Sequence, residues 1–143
     1  LPRLTDGKNV SGRRLFLRRT SQFRQMKNSV EVESLLHELG FQVIEPETLS
    51  FAEQVKLFSV AEIIVAQAGA ALGNMIFAPE DCHVVILSAW SPMSIYYYFS
   101  NLASLLGQRC TYVLCEPDNQ EHAHPAHKGL DVDIQILREA IGL

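Results

Sequence analysis

The sequence lacks any apolar run near the roughly 20 residues that cross a bilayer, and nothing at its start resembles a signal peptide. Its three cysteines are an odd number without C-x-x-C spacing. Neither a zinc site nor a disulfide framework is therefore predicted. Together these absences predict a cytoplasmic protein in a reducing compartment, with no direct membrane span.

Basic residues are also scarce. The net charge is -4 and the pI is about 5.7, which argues against a nucleic-acid partner because such partners usually need a basic face. Eight of the twelve Lys and Arg residues nevertheless lie between Arg3 and Lys27. This segment is either a solvated basic face or an edge that binds anions, and composition alone does not choose between them.

The sequence does contain enough apolar material for a packed core, since 48% of its 143 residues are hydrophobic. Strand-like apolar segments recur along the chain and are separated by helical patterns. Five strands are predicted, at residues 13–19, 41–45, 62–66, 83–87 and 110–115.

Helices are predicted between the strands from apolar residues that recur at three- and four-residue spacing. One begins at Asn28, where Asn28 and Glu31 fit a capping box. A second begins at Ser50, where Ser50 and Glu53 fit the same pattern. Two more follow the fourth and fifth strands.

The alternation of strands and helices predicts parallel strands joined by right-handed crossovers, with helices on both faces. We expect one doubly wound, Rossmann-like α/β domain over residues 1–143, with a five-stranded parallel sheet in the order 3-2-1-4-5. Ligands of such sheets bind beyond the carboxyl ends of the strands, where the strand order reverses. The turns after strands one, three, four and five meet at that edge.

The turn after the third strand, residues 67–74, is the main candidate for a ligand site. Its small residues allow a ligand to approach the backbone, and the helix after it offers free N–H groups that suit a phosphate. Small residues equally allow tight packing of a helix on a sheet. The glycines are four apart, so the G-x-G-x-x-G dinucleotide pattern is absent. The small residues are Ala66, Ala68, Gly69, Ala70, Ala71 and Gly73.

Several segments together resemble glycosyltransferase family 61. A strand ends at Arg19, Arg24 follows, and Asn28 and Glu31 open a helix. The stretch GFQVIEPETLSFAEQVKLFSVAEIIVAQAGAALGNMIF then resembles the family's order of features. These features are an extended pe-x-l-s segment, a Gln in the next helix (Gln54), an apolar strand and an HGAGLTNM-x-F turn. The resemblance covers nearly the whole chain.

Enzymes of this family are similar to GT-B transferases, whose C-terminal Rossmann-like half binds most of the nucleotide-sugar donor. The resemblance implies that this chain is that half of a longer two-domain protein, of the capsular-polysaccharide type. The implied reaction transfers a sugar from a nucleotide-diphosphate donor such as a UDP-sugar. It inverts the anomeric centre and needs no metal or other cofactor. The glycan acceptor would bind through the N-terminal half, which is not in this chain.

The resemblance also implies which residues bind the donor. Arg19 and Arg24 are expected at the diphosphate, because guanidinium groups fork onto phosphate oxygens and stabilise the charge of the leaving group. The turn is expected to supply the remaining contacts, from Gln67, Gly69, Ala70, Ala71, Gly73 and Asn74.

Five further residues are weaker candidates. Asn28 and Glu31 serve either as a helix cap or as ligand contacts, and Gln54 faces either the site or solvent. Trp90 follows the fourth strand and could stack on a base or sugar. His127 lies in a Pro-containing loop, near the mouth of the predicted site.

The histidines of that loop, His122, His124 and His127, have no matching carboxylate motif, so no metal site is predicted. No catalytic base is identified. His124 and His127 are candidates, and a residue of the N-terminal half is an equal one.

Three positions depart from the family's pattern. We assign the family's His to Gln67, its Thr to Gly73 and a Glu of the next strand to Ile86. Glutamine forms hydrogen bonds but does not exchange a proton near neutral pH. The chain is therefore either an active transferase half or a catalytically decayed nucleotide-sugar-binding or assembly module. A third alternative is an unrelated dinucleotide enzyme that holds a ribose with Glu45.

Overall fold

A computed structural model describes residues 13–19, 26–92, 97–117 and 129–143 of the chain. The strands are β1 (Arg14–Leu17), β2 (Gln42–Ile44), β3 (Ile63–Gln67), β4 (His83–Ala89), β5 (Arg109–Pro117) and β6 (Leu130–Asp131). The α-helices are α1 (Ser29–Glu38), α2 (Phe51–Phe58), α3 (Tyr97–Leu106) and α4 (Ile134–Ile141). Two 3₁₀ helices lie at Pro46–Thr48 and Ala70–Phe77.

The strands form one sheet in the order β2-β1-β3-β4-β5-β6. The first five strands are parallel, which confirms the mixed α/β fold with a mainly parallel sheet. The predicted count of five is one too few, because β6 pairs antiparallel with the end of β5. β6 has only two residues, and so short a strand leaves no periodic signal in the sequence.

The predicted strand order 3-2-1-4-5 is wrong. β1 lies between β2 and β3, with Leu15 opposite Gln42 on one side and Ile64 on the other. Both orders have the same alternation of strands and helices, so the sequence pattern does not distinguish them. The strand order reverses between β1 and β3, so the turns that follow these two strands are neighbours. Ligands of such sheets bind at this point.

Helices cover both faces of the sheet, as a doubly wound fold requires. Phe16 of β1 faces α1 and α4, in a core that includes Val32 and Leu137. Its neighbours Leu15 and Leu17 face the other core, which contains Phe58 of α2. The alternation of side chains along β1 thus supplies both cores.

The helical patterns are confirmed where the chain is described. Val32, Leu35 and Leu36 form the buried face of α1. The capping box of α2 is present, because Glu53 N donates to Ser50 Oγ at 3.2 Å and Ser50 N donates to Glu53 Oε2 at 2.9 Å. No helix in this described portion is long and apolar enough to cross a membrane.

Candidate functional site

The turns after β1 and β3 meet through Arg19. Arg19 Nη1 donates to the Ala68 carbonyl oxygen at 3.4 Å. A Cβ on Gly69 would lie 3.1 Å from Nη1 and 3.6 Å from Cζ. Gly69 has an extended backbone, with φ 167° and ψ 179°, which any residue can adopt. The glycine therefore matters for the room it leaves to the guanidinium and not for its backbone conformation, and the structure brings Arg19 to the predicted turn.

A 3₁₀ helix, Ala70–Phe77, follows this contact, where the sequence predicts a short helix. Leu72 N donates to the Gly69 carbonyl at 3.1 Å, and the side chains of Leu72 and Met75 are buried. A Cβ at Gly73 would meet nothing within 4 Å. A residue with a Cβ would therefore fit at this position without displacing its neighbours.

Gln54 of α2 connects three parts of the structure. Its Nε2 donates to the carbonyl oxygens of Pro46 at 2.8 Å and Leu49 at 3.2 Å. Its Oε1 accepts a hydrogen bond from Asn74 Nδ2 at 2.6 Å. The interpretation of Gln54 as a solvent-facing helical residue is therefore wrong, because it is partly buried and its amide is bonded at both ends.

A second glutamine holds the far end of the 3₁₀ helix. Gln108 is buried and its Nε2 donates to the carbonyl oxygens of Met75 at 2.8 Å and Ala78 at 3.1 Å. Gln108 is not among the candidates predicted from the sequence. Its partners are 33 and 30 residues away, and no local pattern separates it from an ordinary loop glutamine before a strand.

The two adjacent arginines have different surroundings. Arg18 donates to both carboxylate oxygens of Glu33, at 2.7 and 2.9 Å, and to Glu45 at 3.2 Å. These hydrogen bonds, first to Glu33 and then to Glu45, raise the pKa of the Arg18 guanidinium above its usual value. The Arg18 guanidinium is thus paired with the carboxylates of Glu33 and Glu45, whereas the Arg19 guanidinium lies against the turn after β3. Glu45, which the dinucleotide alternative assigned to a ribose, is held by Arg18.

The capping box predicted for Asn28 and Glu31 is wrong. Asn28 occupies the N-cap position of α1, but its side chain makes no capping bond. Its Nδ2 donates to Val132 O at 2.7 Å and its Oδ1 accepts from Val132 N at 2.9 Å. The backbone of Val132 offers a complementary donor and acceptor, and this pairing takes the place of the cap. Glu31 is exposed to solvent.

Trp90 lies just after β4, at the carboxyl edge of the sheet. Its backbone N donates to Cys115 O at 2.9 Å, and 56% of its surface is exposed. The indole is therefore accessible, as stacking on a base or sugar requires. Its contact with a ligand stays a prediction.

Other candidates lie outside the described residues. They are Arg24 and the loop histidines His122, His124 and His127. Across the part of the chain that is described, no three His, Cys, Asp or Glu side chains cluster in a way that could hold a metal ion.

The cysteines are structural where they are buried. Burial raises the pKa of the Cys82 and Cys115 thiols to about 12. A thiol with so high a pKa stays protonated near neutral pH and is a poor nucleophile. Cys82 and Cys115 are therefore core residues and not nucleophiles.

The assignment of the family's His to Gln67 needs correction by one residue. Counting back along HGAGLTNM from Met75 places Asn on Asn74, Thr on Gly73 and His on Ala68. Gln67 is instead the last residue of β3. The position equivalent to the His thus carries a methyl group, and its carbonyl accepts from Arg19.

A comparison with known protein families gives a match. The model of the family Glycosyltransferase 61 matches residues 3–85, which is more than half of the 143 residues. The matched region runs from before β1 into β4, and it includes Arg19, Gln54 and the 67–74 turn. No curated protein matches the chain.

Proposed function

Because the chain belongs to the glycosyltransferase 61 family, we propose that it is the donor-binding half of a two-domain, GT-B-like glycosyltransferase. The observation that carries this proposal is the position of Arg19. Its guanidinium lies on the turn after β3, at the point where the strand order reverses and where ligands of such sheets bind.

The chemistry of this contact suits a diphosphate. A guanidinium binds phosphate oxygens with two parallel hydrogen bonds, and the absence of a side chain at Gly69 lets the Arg19 guanidinium lie against the turn. The first N–H groups of a helix have no partner within the helix. The N–H groups of Ala70 and Ala71 are the first of the 3₁₀ helix that begins beside Gly69. We therefore assign the donor's diphosphate to Arg19 and the start of the 67–74 turn, at Gly69, Ala70 and Ala71, with Arg24 as a further contact.

The proposed donor is a UDP-sugar or a similar nucleotide-sugar, and the proposed acceptor is a growing glycan bound by an N-terminal half, as in capsular-polysaccharide synthesis. The reaction is a single displacement that inverts the anomeric centre. The acceptor oxygen bonds to the anomeric carbon while the bond to the diphosphate oxygen breaks. The acceptor proton passes to a base from the N-terminal half or from His124 or His127. Arg19 stabilises the departing nucleoside diphosphate, and the proposal requires no metal or cofactor.

Isothermal titration of the chain with UDP and with inorganic pyrophosphate tests this assignment. Arg19→Gln should weaken both ligands by roughly 10- to 100-fold, the usual worth of a hydrogen bond to a charged group. Arg18→Gln is the matched control, because its guanidinium is engaged by Glu33 and Glu45. The absence of saturable binding at millimolar UDP, or an equal loss in both variants, would refute the proposal.

A decayed binding module is the second candidate function. It is favoured by Ala68 and Gly73, which stand where the family's turn has His and Thr, and by Ile86, which is fully buried. Sugar transfer by the full-length parent enzyme separates the two functions. If the site is decayed, the parent is inactive, and the double substitution Ala68→His with Gly73→Thr should raise its activity. Transfer by the unaltered parent excludes this alternative.

A further inference from the structure

The orientation of the Gln54 side-chain amide is determined by two backbone groups. Nε2 lies 2.8 Å from Pro46 O and 3.2 Å from Leu49 O. Backbone carbonyl oxygens only accept hydrogen bonds, so the amide must present its NH₂ group to them. A flipped amide would place its oxygen against two other oxygens. The remaining atom, Oε1, therefore faces Asn74.

This orientation determines that of Asn74 in turn. Because Oε1 of Gln54 only accepts, the Asn74 atom 2.6 Å away must be Nδ2. Rotation of the Asn74 amide would bring two oxygens together and lose the bond. Among the described residues, none donates to Asn74 Oδ1. Asn74 is only half-buried, so this oxygen is a fixed acceptor at a partly open position.

A fixed acceptor selects a particular kind of ligand group. Ionised phosphate oxygens are acceptors themselves and gain nothing from a carbonyl oxygen. Hydroxyl groups of ribose or a sugar, and the N–H of a base, donate. We infer that Asn74 binds a hydroxyl or N–H group of the nucleotide-sugar through Oδ1, and that Gln54 is the positioning residue that presents this oxygen. The inference rests on the proposed donor site and divides it in two. Arg19 binds the diphosphate, and Asn74 binds a donor group of the nucleoside or the sugar.

The affinities of UDP, UDP-glucose and inorganic pyrophosphate for three variants test this division. Asn74→Leu replaces the amide with an apolar group of similar size. It should weaken UDP or UDP-glucose by about three- to tenfold, as loss of a neutral hydrogen bond does, and leave pyrophosphate unchanged. A loss that is already present with UDP assigns the group to the nucleoside. A loss seen only with UDP-glucose assigns it to the sugar. The matched control is Asn101→Leu, on the exposed side of α3.

Gln54→Met tests the positioning role. It keeps the Asn74 oxygen but frees its rotation, so we expect a smaller loss of UDP or UDP-glucose affinity than in Asn74→Leu. The double variant should be no weaker than Asn74→Leu alone, because the two residues act through one contact. Circular dichroism melts check that each variant is folded. If Asn74→Leu does not fold, the UDP and UDP-glucose affinities of Gln54→Met alone test the inference.

Two results overturn the inference. One is an Asn74→Leu variant that weakens pyrophosphate, UDP and UDP-glucose equally, and the other is a folded Asn74→Leu or Gln54→Met variant with no loss for any ligand. In both cases Asn74 serves only to attach the turn to α2. These results are distinct from failure of the proposed function, in which the unaltered chain binds neither UDP nor pyrophosphate.

Discussion

The guanidinium of Arg19 lies so close to Gly69 that a Cβ at residue 69 would come within 3.1 Å of Nη1. Alanine fits the extended backbone at this position, so the conflict falls on the arginine side chain. We expect Gly69→Ala to shift the guanidinium by a few tenths of an ångström. The melting temperature should change by less than about 2 °C, while pyrophosphate affinity falls roughly two- to fivefold, a fraction of a charged hydrogen bond.

The same substitution in an Arg19→Gln background provides the control. If Gly69→Ala acts by displacing the guanidinium, its effect on pyrophosphate binding should disappear when the guanidinium is absent. An equal loss in both backgrounds would show that residue 69 acts through its own backbone.

Asn28 should be important for stability. Its amide makes two hydrogen bonds with the backbone of Val132, a residue that is 3% exposed. Asn28→Ala leaves the backbone N–H and carbonyl of Val132 without their hydrogen-bond partner. We expect the free energy of unfolding to fall by about 1–3 kcal/mol, the cost of an unsatisfied buried polar group. Urea denaturation measures this loss.

Glu31→Gln is the companion variant, because Glu31 is exposed and the predicted capping box would make it a partner of Asn28. The structure predicts a change of no more than about 0.5 kcal/mol, as for an ordinary surface substitution. Equal losses in Asn28→Ala and Glu31→Gln would favour the capping box over the Val132 contact.

The features that are predicted correctly from the sequence depend on neighbours within a few residues. The Ser50–Glu53 capping box joins residues three apart, and the buried face of α1 follows helical spacing. The Asn28–Val132 contact spans 104 residues. No local pattern indicates it, and an Asn followed three residues later by a Glu has the same sequence as a cap. Local propensity predicted the wrong partner because a distant one competes for the same side chain.

In the candidate site, too, local features were predicted from the sequence and contacts between distant residues were not. The 67–74 turn was predicted from its small residues, and Arg19 from family resemblance. The contact between them depends on β1 and β3 being adjacent, which the predicted strand order did not provide. Gln54 was named as a candidate, yet its bond to Asn74 joins separate elements. Residue types indicate the chemistry of a site, whereas the order of the strands in the sheet determines which residues come into contact.

His83 should make stability depend on pH. It lies at the start of β4, is 6% exposed, and its Nε2 is 2.8 Å from Thr111 Oγ1. Burial, and then the positive charge of Arg109, lower the pKa of His83 below its usual 6.5. Above that value the imidazole is neutral in both the folded and unfolded chains. As the pH falls below 6.5, the unfolded chain binds a proton that the folded chain does not, so stability decreases.

Urea denaturation at pH 7.5 and pH 5 of the unaltered chain and of His83→Gln measures this effect. The unaltered chain should lose more stability on acidification than the variant, by at most about 1.4 kcal/mol per pH unit for one proton. Glutamine keeps a side-chain group that forms hydrogen bonds but does not titrate. His37→Gln, on an exposed position of α1, should behave like the unaltered chain. If His83→Gln and the unaltered chain lose the same stability between the two pH values, His83 is not the buried neutral imidazole that its surroundings require.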